Sequence, residues 1–211
     1  MADSNAASPA GLTPANHQRE KLVVVGNGMA GVRLLEELVQ RSATDRYDIT
    51  VFGSEPEPGY NRILLSPLLS GDKTLEQIRL RGIEWYAEHG IELKLNTAVT
   101  SIDTDAKQLS TPEGECISYD KLIMATGSNP FIIRMPGHTL DGVVSFRDLS
   151  DVDRMLTVSK TAKHAVVIGG GLLGLEAADG LLRRGMHVTV VHIADHVLDK
   201  QRDHEASSGL R

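Results

Sequence analysis

Two stretches of the chain switch from strand-like to helix-like spacing of apolar residues, and each switches across a cluster of glycines. Lys21-Leu22-Val23-Val24-Val25 is a β-branched run that enters Gly26-Asn27-Gly28-Met29-Ala30-Gly31. After Gly28, the apolar residues Val32, Leu35, Leu38 and Val39 recur at helical spacing, with Arg33, Glu36, Glu37 and Arg41 on the other faces. Residues 47–52 predict a second strand, which completes a βαβ unit of about 30 residues. The arrangement returns when Ala165-Val166-Val167-Ile168 enters Gly169-Gly170-Gly171-Leu172-Leu173-Gly174. There the pattern predicts a helix over 172–184 and a strand over 187–191.

Between the two units the elements are shorter. Residues 63–69 read as a short apolar helix around Pro67, and 83–89 as a helix ending at Gly90. Alternation over 91–95 predicts a strand. Residues 99–109 and 116–119 predict hairpin strands joined around Pro112-Glu113-Gly114. Residues 121–125 read as a buried strand running into Thr126-Gly127. Pro130, Pro136 and Gly137 mark 129–150 as a crossing linker, and 149–158 predicts a helix. Strands alternating with helices predict an α/β fold: Rossmann-like nucleotide units on parallel sheet, with a small β-meander.

Composition narrows the function classes. A hydrophobic content of 41% and a charged content of 24% describe an ordinary globular chain. The net charge of −6 argues against a nucleic-acid surface, which needs a basic stripe. No apolar run approaches the ~20 residues of a membrane span. Cys116 is the only cysteine, so an intrachain disulfide and a cysteine-ligated Fe–S cluster are excluded, and a reducing, cytoplasmic setting is expected. Residues 1–18 are rich in Ala, Ser, Pro and Asn without periodicity, and carry no secretory signal pattern. They are expected to form a disordered tail.

The glycines carry the candidate chemistry. In a G-x-G-x-x-G loop the first glycine permits a tight turn out of the strand. The second lets a pyrophosphate approach the backbone, and the third lets helix and strand pack closely. Gly26, Gly28 and Gly31 hold these places in the first loop, and Gly169, Gly171 and Gly174 in the second. Each helix start offers unpaired N–H groups and roughly half a positive charge to phosphates. Two loops in one setting suggest two dinucleotides, hence electrons passing between them. An acid at the end of the second strand normally binds a ribose diol, and Glu55 is the nearby candidate in the first unit. In the second unit His192 stands there, which leaves a ribose or 2′-phosphate contact and a plain strand-end histidine both open. His192, Asp195, His196 and Asp199 have metal-compatible spacing only if helical; we read that spacing as coincidence and expect no metal site.

The segment Tyr119-Asp120-Lys121-Leu122-Ile123-Met124-Ala125-Thr126-Gly127-Ser128 resembles the A-T-G motif of two-dinucleotide flavoprotein reductases. A closer resemblance is to the N-terminal flavoprotein region of the large subunit of assimilatory NAD(P)H nitrite reductases. It is carried by 24–31, by Tyr60-Asn61-Arg62-Ile63-Leu64-Leu65-Ser66 and by 168–178. It extends to Lys200-Gln201-Arg202-Asp203, with Arg202 where a leucine is usual. The resemblance implies a flavoprotein fold with FAD at the first loop (Gly26, Gly28, Met29, Ala30, Gly31). It implies NAD(P)H at the second (Gly169, Gly171, Leu172, Leu173, Gly174). By the same resemblance Arg62 lies near the flavin or its pyrophosphate, and Val99 gives backbone contacts to the adenine. Ala125, Thr126 and Gly127 contact FAD, and Glu176 lies toward the nicotinamide.

On that basis 19–150 is expected to be an FAD-binding domain lacking its returning strand, and 151–211 the start of an NAD(P)H-binding domain. Sirohaem and an Fe–S cluster belong to a later part of such reductases. The expected partner is therefore a downstream redox domain or protein. An incomplete second sheet would leave an apolar face and an unpaired edge, so a truncated chain that associates through this edge is expected. A rubredoxin- or ferredoxin-reductase-type flavoprotein and a non-catalytic FAD- or partner-binding fragment are the alternatives. No catalytic residue is assigned.

Overall fold

A computed structural model describes residues 19–198. The tail expected over 1–18 and the 200–203 match lie outside these residues. In chain order the elements are β1 (Glu20–Val25), α1 (Met29–Gln40), β2 (Tyr47–Phe52), α2 (Leu65–Ser70), α3 (Leu75–Ile78) and α4 (Ile83–Glu88). Then come β3 (Ile91–Lys94), β4 (Ser101–Asp103), β5 (Gln108–Ser110), β6 (Cys116–Ser118) and β7 (Lys121–Met124). The last four are α5 (Leu149–Ser159), β8 (His164–Ile168), α6 (Leu172–Arg183) and β9 (His187–Val191).

Strands β3-β2-β1-β7 form one parallel sheet, β4-β5-β6 an antiparallel meander, and β8-β9 a parallel pair. The β-branched run of β1 follows from its central place. Leu22 and Val24 pack on one face with Leu35, Ile49, Val51 and Tyr86. Val23 and Val25 pack on the other with Phe52, Leu109 and Tyr119. A strand covered on both faces needs apolar residues at every position, not at alternate ones. Helices α1 and α4 cover the first face and the meander covers the second.

A third core joins the rest: Tyr60, Leu65, Leu69, Ile78, Leu149, Val152, Leu181 and Met186. It ties α2, α3, α5, α6 and the inward side of β8-β9 into one body. Helix α2 tolerates Pro67 because the residue sits in the first turn, where its missing N–H costs no helical bond. Helix α5 starts on a capping box between Asp148 and Asp151.

Two local expectations need correction. Residues 99–109 are not one strand: Asp103 accepts N–H bonds from Asp105 and Ala106, and the chain turns there before β5. Lys107 reverses the chain with φ +50°, so β4 and β5 are themselves the first hairpin. Strand β7 is not buried along its length. It borders the sheet, and Met124 is 54% exposed. The outer face of β8-β9 is also open, with Val166, Ile168 and Val191 at 64%, 51% and 51% exposure. Among the described residues no helix is long and apolar enough to cross a membrane.

Leu35 is fully buried between α1 and the first sheet. Leu35→Ala should therefore lower unfolding free energy by about 2–5 kcal/mol, read as a shift in urea midpoint at unchanged slope.

Candidate functional site

At the carboxyl end of the first sheet, Gly26 leaves β1 with φ +113°, a conformation that side-chain-bearing residues rarely adopt. A Cβ at Gly26 would overlap the Ala125 carbonyl, because β7 runs alongside and the Ala125 N–H donates to Val25 O at 2.7 Å. A Cβ at Gly31 would overlap the Gly26 carbonyl oxygen. Gly28 differs: its backbone is ordinary (φ −82°, ψ −170°) and a Cβ there would meet nothing within 4 Å. The protein itself makes no steric demand for glycine at this position, and the space it leaves lies at the start of α1. No side chain caps α1, and no acid occupies its first turn. The N–H groups of Met29, Ala30 and Gly31 therefore keep their affinity for an anion.

The second loop repeats this division. Gly169 turns with φ +120° and donates its N–H to Val191 O at 2.8 Å. A Cβ at Gly174 would overlap the Gly169 carbonyl, while one at Gly171 would meet nothing within 4 Å. Helix α6 likewise starts with no side-chain cap and no acid in its first turn. Leu172 and Leu173 are 56% and 58% exposed, so backbone amides are what they bring to the loop. Two uncapped helix starts, each facing open space beside a glycine, fit two diphosphates.

Around the first loop the other candidates divide. Ala125, Thr126 and Gly127 stand beside Gly26 at the end of β7, and Gly127 turns with φ +72° into open space. Val99 packs its side chain on the core shared with Val25 and Phe52, leaving its backbone at the loop after β3. Glu55 is not a free loop carboxylate: it accepts from Tyr60 Oη at 2.6 Å and pairs with Arg62. Ser54, exposed, stands nearer the tip of β2. Arg62 also donates to Arg147 O at 3.0 Å and lies over the Tyr60 ring. The Arg147 side chain in turn donates to Ser128 Oγ at 2.8 Å, next to the A-T-G turn. Burial, then the bond to Glu55, hold the Tyr60 hydroxyl well above its ordinary range, so it stays a neutral donor. It accepts in turn from the Leu149 N–H, at 3.2 Å.

Around the second loop, Glu176 faces the first unit and accepts from Ser66 Oγ at 2.6 Å. His192 Nδ1 accepts the Gly170 N–H at 3.1 Å, which braces the loop against the end of β9. Residues 193–198 are bends and turns and His192 is not helical, so the helical premise of the metal-compatible spacing is gone; Asp199 lies outside the described residues. Among the described residues no cluster is arranged to hold a metal. Tyr60, Ser66, Ser128 and Arg147 were not named as site residues by the sequence. For Arg147 only its place just before the Asp148 capping box hinted at a fixed position.

The profile of the pyridine nucleotide-disulphide oxidoreductase family matches residues 20–211. The chain belongs to this family. It is 50% identical over 193 residues to a nitrite reductase [NAD(P)H] of Bacillus subtilis, covering 92% of this chain and 24% of the relative. It is 45% identical over 194 residues to an assimilatory nitrate reductase electron transfer subunit of the same organism, covering 92% and 25%. Among solved structures, NADH:rubredoxin oxidoreductase from Clostridium acetobutylicum superposes with a TM-score of 0.79 at 28% identity, covering 92% of this chain and 50% of that one. The chain thus spans about a quarter of the length of these curated relatives. The two-dinucleotide, Rossmann-like α/β architecture is the family's own.

The two kinds of loop glycine predict different outcomes. Gly31→Ala and Gly174→Ala should each destabilise the protein without any ligand, by about 1–3 kcal/mol or more, because a backbone carbonyl cannot step aside. Gly28→Ala and Gly171→Ala should leave the urea midpoint nearly unchanged.

Proposed function

We propose that this chain is the electron-input part of an NAD(P)H-dependent flavoprotein reductase of the nitrite reductase type. FAD would occupy the first loop and NAD(P)H the second, with 19–150 and 151–211 as the corresponding parts. The observation that carries the reading is the matched pair of glycine loops in which Gly28 and Gly171 combine ordinary backbone angles with open space where a Cβ would be. The resemblance to a nitrite reductase and to an assimilatory nitrate reductase electron transfer subunit gives the reaction class its direction. When bound, the flavin supplies a ring that takes a hydride from the reduced nicotinamide and releases electrons singly or in pairs.

The chain's own residues bind and orient. The Met29, Ala30 and Gly31 amides take one diphosphate, and those of Leu172, Leu173 and Gly174 the other. Ala125, Thr126 and Gly127 shape the wall beside Gly26 through a backbone held by β1. Arg62 is a positioning residue: Glu55 and the Arg147 carbonyl fix it beside the Tyr60 ring. Ser66 holds the Glu176 carboxylate at the junction of the two units. The single thiol rules out dithiol–disulfide exchange within the chain, and the reading sends the electrons on to another domain or protein. Nitrite is the proposed final acceptor, reached through a sirohaem and Fe–S part that these residues do not form.

A second reading has an observation of its own: the superposition on a rubredoxin reductase favours a one-electron carrier protein as acceptor. Reduction assays separate the two, with added rubredoxin or ferredoxin in one arm and the complementary nitrite-reducing part in the other.

The purified chain should bind FAD, turn yellow, and bleach on adding NADH or NADPH under anaerobic conditions. Gly28→Ala should weaken FAD uptake at least tenfold, about 1.4 kcal/mol. Gly171→Ala should leave FAD uptake intact and slow the bleaching. A colourless chain that takes up no flavin from excess would sink the reading.

A further inference from the structure

Helices α2 and α6 run side by side in the same direction, and three contacts set their register. At one end Ser66 Oγ donates to Glu176 Oε2 at 2.6 Å. In the middle the fully buried Leu69 side chain lies over Gly180: a Cβ at 180 would stand 2.7 Å from Leu69 Cγ and 2.8 Å from its Cδ2. At the other end the Arg184 guanidinium donates to Leu69 O at 2.6 Å and to Leu68 O at 3.3 Å. These are the terminal carbonyls of α2, where the helix ends at Gly71 and carries its negative dipole end. Arg183 adds a surface pair to Asp72 at 3.3 Å.

The pairing is parallel, so the start of α6 lies at the same end as the start of α2. The second glycine loop is thereby brought toward the Tyr60-Asn61-Arg62 turn. Any slip of one helix along the other would move that loop by 1.5 Å per residue. We propose that Gly180 and Arg184 are positioning residues that fix the spacing between the two nucleotide loops. Gly180 sets the closeness of the helices and Arg184 sets their register. Neither residue lies in a nucleotide loop: Gly180 is within α6 and Arg184 caps its end. The inference rests on the two-nucleotide reading above for its consequence, but not for the geometry.

Gly180→Ala puts a methyl about 0.7 Å inside the 3.4 Å at which ordinary contact begins, so α2 and α6 must part. Arg184→Gln adds no bulk and removes the guanidinium from the α2 carbonyls. Two readouts test the proposal on the full chain. Spin labels on the native, exposed Cys116 and on Thr189→Cys, exposed on β9, report the distance between the units without any nucleotide. Both variants should lengthen or broaden that distance, and Leu69→Ala should reverse the change caused by Gly180→Ala. With FAD bound, both should slow anaerobic bleaching by NADH roughly ten- to hundredfold, without a matching change in FAD affinity or in half-saturating NADH. An unchanged label distance in both variants overturns the proposal, as does an altered distance with wild-type bleaching. Should the wild-type chain itself not bleach, the functional reading fails and the label distances alone decide the clasp.

Discussion

Each nucleotide loop in this protein depends on one contact that a single methyl group would abolish. The carbonyl of the first glycine of each loop occupies the place where a side chain on the third would be. This overlap lets α1 and α6 begin directly at the carboxyl ends of β1 and β8, close enough for the strand ends to form the floor of the site. It also points the free amides of the first helical turn away from the protein. The middle glycine is the only one of each three that neither a positive φ nor a close neighbour requires. Backbone angle or close packing accounts for two glycines of each loop, whereas the third stands at a helix N-cap with open space before it.

The same division between structural and ligand-directed residues runs through the polar groups. Glu55, the acid nearest β2, is committed to Tyr60 and Arg62, and those bonds link the loop after β2 to the start of α5. The chain Tyr60–Glu55–Arg62–Arg147–Ser128 connects the Tyr-Asn-Arg turn to the A-T-G turn across more than sixty positions of sequence. An ion pair at this partial exposure adds little stability by itself. Its value is directional: it holds a guanidinium at one place beside the sheet end.

The sequence showed the elements whose cause is local or periodic. Strand β1 and helix α1 were legible because one is apolar at every position from Leu22 to Val25 and the other at every third or fourth. What escaped it had causes distant in sequence. Met124 lies on a border strand, which no local pattern shows, since Leu122 and Ile123 beside it are as apolar as a buried strand. The turn at Asp103 depends on a carboxylate reaching back to two amides, which alternation alone conceals. Helix α3 went unread although Thr74-Leu75-Glu76-Gln77 spells a capping box, because four residues are too few to show a period. Ser66 and Arg147 act through partners about 110 and 19 positions away, and nothing in their own neighbourhood marks them.

Net charge and site charge pull in opposite directions here. A chain of net charge −6 should repel a diphosphate at long range. Beyond about 8 Å that repulsion is screened at physiological salt, so what an approaching phosphate meets is the local field. Both long helices next to the glycine loops exclude acids from their first turn, whereas α3, α4 and α5 each carry one there. The acids closest to the first sheet end are paired instead, Glu55 with Arg62 and Glu57 with Arg79. The positive ends of α1 and α6 are therefore left uncompensated by any side chain in their first turns.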